Sequence, residues 1–229
     1  MVSSIVENSS ASLRTREARP AISNAAPVVF VIEDDISVRE SLELLIRSAG
    51  WEPRIFASAQ EFLSQPRTLV PSCMILDVYL PDLNGLDLQK LVADRLELPI
   101  IFMTAYGDVP LTVKAMKAGA IEFLIKPFLH DALLNSIRHA LDCSQTALNQ
   151  DAEMRILRDR YATLSRRERE VMSLVTSGWL NKQIGGMLGI SEITVKAHRG
   201  KVMRKMNAHS FVGLINIADK LGVVSATKH

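Results

Sequence analysis

The 229 residues carry 27 Lys and Arg against 25 Asp and Glu, and 48% of them are hydrophobic, enough for one large domain or two ordinary ones with packed cores. No run approaches the roughly 18 apolar residues of a membrane span and no signal peptide is visible, so the expected compartment is the cytoplasm, with no membrane partner. The net charge of +2 hides an asymmetry: residues 27–150 hold 16 acidic and 10 basic side chains, whereas residues 151–229 hold 7 acidic and 14 basic, suiting a cation and a polyanion such as DNA respectively.

Residues 1–26, rich in Ser, Ala and Arg without an apolar period, are expected to be a disordered leader. From Val28 onward apolar runs alternate with helical patterns. Val28 to Ile32 reads as the first strand, and Ser37-Val38-Arg39-Glu40 as a capping box opening a helix that Gly50 closes. Glu52 to Phe56 is the second strand, followed by a second capping box, Ser58-Ala59-Gln60-Glu61. The run around Met74 is the third strand. It ends abruptly in Asp77, meets Pro81, Asn84 and Gly85, and gives way to a helix from about Leu86 to Leu96. Ile100 to Thr104 and Ile121 to Ile125 are the fourth and fifth strands, each followed by a helix. Five strands alternating with five helices predict an α/β fold with a doubly wound, five-stranded parallel sheet over residues 27–142.

Near Asp142 the strand signals stop, and a polar helical linker is expected over 143–163. From Ser165 the pattern is all helical, with Ser165-Arg166-Arg167-Glu168 as a capping box and Ser191 and Ser210 as further caps. Two of these helices meet at a tight turn containing Gly189. Residues 164–229 therefore read as an all-α four-helix unit built on a helix-turn-helix. Cys73 and Cys143 sit in no metal-ligand spacing and read as idle thiols in a reducing compartment.

The strand ends carry the chemistry, because ligands of an open parallel sheet bind at its carboxyl edge. Glu33, Asp34 and Asp35 follow the first strand, Asp77 ends the third, Thr104 the fourth, and Lys126 follows the fifth. Carboxylates held together repel, and a hard divalent cation such as Mg²⁺ relieves this. With Asp77 as nucleophile and Lys126 beside the incoming group, the set suits phosphoryl transfer to give an aspartyl phosphate. Asp35 reads as a solvated neighbour.

These residues, with Asp82-Leu83-Asn84-Gly85 and Lys126-Pro127, resemble the CheY-like receiver domain of two-component response regulators. The resemblance implies that Asp77 takes a phosphoryl group from a sensor histidine kinase. It implies that Mg²⁺ uses Asp34, Asp77 and the Tyr79 backbone carbonyl, with Glu33 partly through water, and that the Lys126-Pro127 bond is cis. It also gives Thr104 and Phe123 the role of a switch that follows the phosphoryl group. The first acid is Glu33, where the family more often has Asp. Tyr79 and Tyr106, each two residues beyond a key position, are expected to crowd the path of an attacking water.

Residues 165–222 are similar to the LuxR-type helix-turn-helix of the FixJ/NarL family, through Asn181-Lys182-Gln183-Ile184, Leu188-Gly189-Ile190-Ser191 and Thr194-Val195-Lys196-Ala197-His198-Arg199, with the FixJ-like branch nearest. Val195, Val202 and Met206 form an apolar stripe. The family would place Lys196, Ala197 and Gly200 over base edges. Lys182, Arg199, Lys201, Arg204 and Lys205 remain for phosphates, where they give salt-dependent affinity without reading sequence. His198 reads as a packed or backbone-bonding residue rather than a base reader. Gly185, Gly186 and Gly200 depart from the family and predict a marginally stable DNA-binding domain. The last helix, apolar on more than one side, is expected to add a dimer contact.

The expectation is a response regulator, not an enzyme in its own right, that dimerises when phosphorylated through residues near 109–125, binds double-stranded promoter DNA and reaches RNA polymerase, with activation the expected outcome. Two rivals remain open. A haloacid-dehalogenase-type phosphatase needs an Asp two residues after its nucleophile, where Tyr79 stands. A receiver serving as a phosphorylation-independent dimerisation module would not need the full set of Glu33, Asp34, Asp77, Thr104 and Lys126.

Overall fold

In the computed structural model the described residues are 26–107 and 109–223; the expected leader, apart from residue 26, and residues 224–229 lie outside them. Strands β1 (Val28–Ile32), β2 (Glu52–Phe56), β3 (Ser72–Asp77), β4 (Ile100–Thr104) and β5 (Glu122–Ile125) form one parallel sheet in the order β2-β1-β3-β4-β5. The order reverses between β1 and β3, and a doubly wound sheet opens a crevice at such a reversal.

Strand alternation divides the core into two layers. Phe30, Ile32, Met74, Leu76 and Phe102 face one side, with Phe62 of α2 (Ala59–Leu63), Leu86 and Leu88 of α3 (Gly85–Leu91), and Ala115 of α4 (Val109–Lys117). Val29, Val31, Cys73, Ile75, Ile101 and Met103 face the other, under Leu42 and Ile46 of α1 (Ile36–Ser48) and Leu133 and Ile137 of α5 (His130–Ala162). Both faces are covered, which is why β1, β3 and β4 read as continuous apolar runs.

Two boundaries and the bonding of one cap differ from the sequence expectation. Helix α1 is capped by Asp35, whose carboxylate accepts from Ser37 N at 2.7 Å and Val38 N at 3.2 Å, so Ser37 lies inside the helix. Asp35 is thus a cap as well as an exposed neighbour of the acidic pair. At α2, Ser58 accepts from Glu61 N, but Glu61 accepts in return from Ala57 N, and Asp82 takes Ala59 N and Gln60 N. Helix α3 stops at Leu91 rather than Leu96, because Arg95 N and Leu98 N bond back to Val92 and Arg95 in turns that lead into Pro99.

Helix α5 is continuous for 33 residues. Its first part packs on the sheet as far as Ser144, whose buried hydroxyl accepts from Ser72 N at 2.9 Å and bonds the Glu97 carbonyl. The expected linker, 143–163, lies on this helix up to Ala162. Tyr161 in its last turn and Leu164 just after it join the core of a helical unit made by α6 (Arg166–Thr176), α7 (Asn181–Leu188), α8 (Glu192–Lys205) and α9 (Phe211–Lys220).

The Ser165–Glu168 capping box forms as expected. In the turn between α7 and α8, Gly189 sits at φ +65, and a Cβ on Gly185 would meet the Ile190 carbonyl oxygen at 2.8 Å. The turn's backbone therefore requires Gly185. Gly186 and Gly200 face open space and carry no such constraint.

Candidate functional site

The strands that end at the crevice supply the groups of the site. Glu33, just past β1, and Asp77, closing β3, are buried at 1% and 7% exposure, and Asp34 beside them is exposed. One carboxylate oxygen from each of the three lies within 4.8 Å of the others. Lys126, after β5, places Nζ 2.6 Å from Glu33 Oε2 and 2.6 Å from Asp77 Oδ2. Its backbone N bonds the Thr104 carbonyl at 2.8 Å, and the Lys126-Pro127 bond is cis, as the resemblance implied.

Burial raises the Glu33 carboxyl above its ordinary value, the charge of Asp77 adds to that, and Lys126 works against both. For Lys126 burial pulls down, but hydrogen bonds and charge from Asp77 and Glu33 outweigh it and the ammonium is held above its usual value. Lys126 thus pairs with two of the three clustered carboxylates, leaving an excess of negative charge in a part-buried place. An all-oxygen donor set of this spacing fits a hard divalent cation, so Glu33, Asp34 and Asp77 fit Mg²⁺.

The surroundings fix the acids. Tyr79 N donates to Asp77 Oδ1 at 2.9 Å. A Cβ on Gly85 would lie 2.5 Å from the Asp77 carbonyl oxygen, so the first residue of α3 has to be glycine. Arg39 Nη1 donates at 2.7 Å to the backbone carbonyls of both Glu33 and Asp34. Sequence reasoning missed this clamp, which had no signal beyond an arginine in the first turns of α1.

Thr104, fully buried, holds its hydroxyl on Tyr106: Oγ1 accepts from Tyr106 N at 3.1 Å and lies 3.2 Å from its carbonyl. The Phe123 ring, partly buried, stands 6.1 Å from Phe102 in the core layer. Tyr79 and Tyr106 meet edge to face at 6.2 Å, both largely exposed. Glu33, Asp34, Asp77, Tyr79, Thr104 and Lys126 therefore converge on one sheet edge, with Phe123 on the neighbouring strand.

The basic unit sorts its charges more sharply than its composition did. Val195, Val202 and Met206 are fully buried, so the opposite face of α8 points outward. Lys196, Ala197, Gly200, Lys201 and Arg204 are exposed on it or its flanks, and Lys182 is exposed on α7. Lys196 pairs with Glu192 at 3.0 Å.

Two of the residues expected at phosphates also make contacts inside the domain. Arg199 donates to Asn181 Oδ1 at 2.8 Å and stacks 5.7 Å over Phe211. Lys205 bonds Glu168 at 2.7 Å and the Thr163 carbonyl at 2.9 Å. Both lie toward the stripe that packs α8 on its neighbours, which a count of positive residues does not reveal. His198 is half-buried, as expected of a packing residue, with its Nδ1 among the buried polar atoms that lack a partner.

Among the described residues no helix is long and apolar enough to cross a membrane. Residues 29–138 match the response regulator receiver domain family, and residues 162–218 match the bacterial regulatory proteins of the luxR family. Nodulation protein W of Bradyrhizobium diazoefficiens is 46% identical over 197 residues, covering 86% of this chain and 87% of that protein. The transcriptional regulatory protein FixJ of the same organism is 39% identical over 198 residues, covering 86% and 97%. The solved structure of the response regulator StyR, 43% identical, matches with a TM-score of 0.75 over 86% of this chain and 100% of that one.

Proposed function

The chain belongs to the bacterial two-component response regulators that join a receiver domain to a LuxR-type DNA-binding domain, and on that premise we propose that Asp77 is a reversible phosphate carrier whose modification governs promoter binding. The donor is a phosphohistidine on a partner sensor histidine kinase. An Asp77 carboxylate oxygen attacks phosphorus, the phosphorus–nitrogen bond breaks, and its electron pair leaves with the imidazole. The product is an acyl phosphate, and hydrolysis of it on Asp77 itself resets the protein.

The observation that carries this reading is the ammonium of Lys126 set 2.6 Å from Asp77 among buried carboxylates. A cation held there neutralises an incoming phosphoryl oxygen without reorganising at the moment of transfer. Glu33, Asp34 and Asp77 would hold Mg²⁺, together with the Tyr79 carbonyl, and the ion, when bound, supplies further neutralisation of phosphoryl charge. Arg39 keeps the Glu33–Asp34 backbone in place.

Thr104 and Phe123 transmit the event. The Thr104 hydroxyl exchanges its Tyr106 carbonyl for a phosphoryl oxygen, and Phe123 follows into the space released. Phosphorylation moves the domain only by its differential interaction with the two arrangements. The responding surface is residues 109–125, where Val109, Val113, Met116 and Ile125 are exposed. A homodimer formed through it presents two DNA-binding domains to related half-sites and brings RNA polymerase to the promoter, in the cytoplasm. In this reading residues 27–142 receive, 143–163 link, and 164–229 bind DNA.

The test is promoter binding by wild type and Asp77→Asn, each with and without acetyl phosphate and Mg²⁺. Affinity is expected to rise in wild type alone. An equal response of the two, or none, would leave a dimerisation module that works without phosphate.

A further inference from the structure

Helix α8 presents a second feature that charge does not explain. On a helix of 3.6 residues per turn, Ile193, Ala197, Gly200 and Arg204 fall on the line directly opposite the buried Val195, Val202 and Met206. Ile193 is 79% exposed, among the most exposed large apolar side chains described. Its neighbours Ala197 and Gly200 add no polar side-chain atom, and a Cβ at Gly200 would meet nothing within 4 Å.

The polar groups of this first turn are occupied. Ser191 caps the helix by accepting from Thr194 N, its hydroxyl lies 2.8 Å from that of Thr194, and Glu192 pairs with Lys196 at 3.0 Å. The N-terminal half of the outward face is thus an apolar strip, while Lys201 and Arg204 supply exposed positive charge to its C-terminal half and Lys182 to the adjoining α7. Positive flanks suit a phosphate backbone, and an apolar strip between them suits the one apolar group in the major groove, the 5-methyl of thymine.

We propose that Ile193, with Ala197 beside it, reads thymine methyl groups in each half-site. Ile193 is thus a specificity-determining residue added to the contacts expected of Lys196, Ala197 and Gly200. The inference rests on the DNA-binding function and deepens it: the preferred duplexes carry thymine where the start of α8 meets the groove, with few side-chain hydrogen bonds to base edges there.

The experiment uses the full-length chain, treated with acetyl phosphate and Mg²⁺, to select duplexes from a random pool. The preferred duplex is then resynthesised with deoxyuridine for each thymine in turn, which removes only the methyl. At one or more positions per half-site wild type is expected to lose about fourfold in affinity, the equivalent of one buried methyl-sized group. Ile193→Ala should lose that dependence at the same position, while Ile193→Val keeps most of it and all three proteins share one salt dependence.

If every deoxyuridine duplex binds wild type unchanged, or Ile193→Ala retains the full methyl dependence, the assignment is overturned while the DNA-binding function stands. Failure to enrich any duplex would overturn both.

Discussion

Lys126 reaches Asp77 with its ammonium 2.6 Å from Oδ2, and the same nitrogen lies 2.6 Å from Glu33 Oε2. One cation therefore restrains two carboxylates that are almost wholly buried. Lys126→Met leaves both acids without it, and removing one partner of a buried pair costs about 3 kcal/mol. Urea unfolding of the receiver should show that loss, with millimolar Mg²⁺ restoring much of it. The loss should be smaller at mildly acid pH, where Glu33, already raised by burial, takes up a proton. A variant as stable as wild type without Mg²⁺ would contradict the arrangement.

Tyr79, whose backbone N donates to Asp77 Oδ1, meets Tyr106 edge to face. If the two rings obstruct the line of water attack, Tyr79→Ala should shorten the lifetime of phospho-Asp77 several-fold, and Tyr106→Ala should do the same with no added effect in the double variant. Decay of the phosphoprotein followed by mass is the measurement; an unchanged lifetime removes the rings from the mechanism.

The glycines of the DNA-binding domain divide into two kinds. Gly186→Ala and Gly200→Ala should each stabilise by about 1 kcal/mol, the helix-propensity difference at open positions. Gly185→Ala should destabilise, because its methyl would press on the Ile190 carbonyl. Urea titration of the full chain, read by Trp179 fluorescence in a Trp51→Phe background, separates the signs.

Glu168 ties the start of α6 to α8. Hydrogen bonds from Lys205 and from Ser165 N lower its carboxyl to about 2. A depressed carboxylate contributes stability that is complete above its unfolded value of about 4.3 and lost as pH falls through about 2. Acid unfolding of the DNA-binding domain should therefore be gradual through that window. Lys205→Met should shift it to higher pH and cost about 2 kcal/mol at neutral pH, less than a fully buried pair because the ammonium is about one-third exposed.

Much of the receiver was legible because its signals are local. β1, β3 and β4 are apolar runs ending in the groups that do the chemistry, so both the sheet and the convergence of Glu33, Asp77, Thr104 and Lys126 followed from strand ends. What escaped depends on partners distant in sequence or on competition between neighbours. Asp35 and Ser37 are both good caps, and only the backbone decides between them. The contacts of Arg199 with Asn181 and Phe211, and of Lys205 with Glu168 and Thr163, cannot be seen in a count of positive residues. Gly185 looked like a weakness of α7 until the Ile190 carbonyl was found against it.

Helix α5 runs unbroken from His130 to Ala162, a rod of about 50 Å, and its geometry makes sequence length a matter of phase. One residue added between Asn149 and Asp159 turns everything downstream by about 100° and advances it by about 1.5 Å, whereas seven residues return it to within about 20° of the starting orientation. Insertions there should consequently be tolerated in steps rather than by size, so that a heptad does less harm to regulation than a single amino acid.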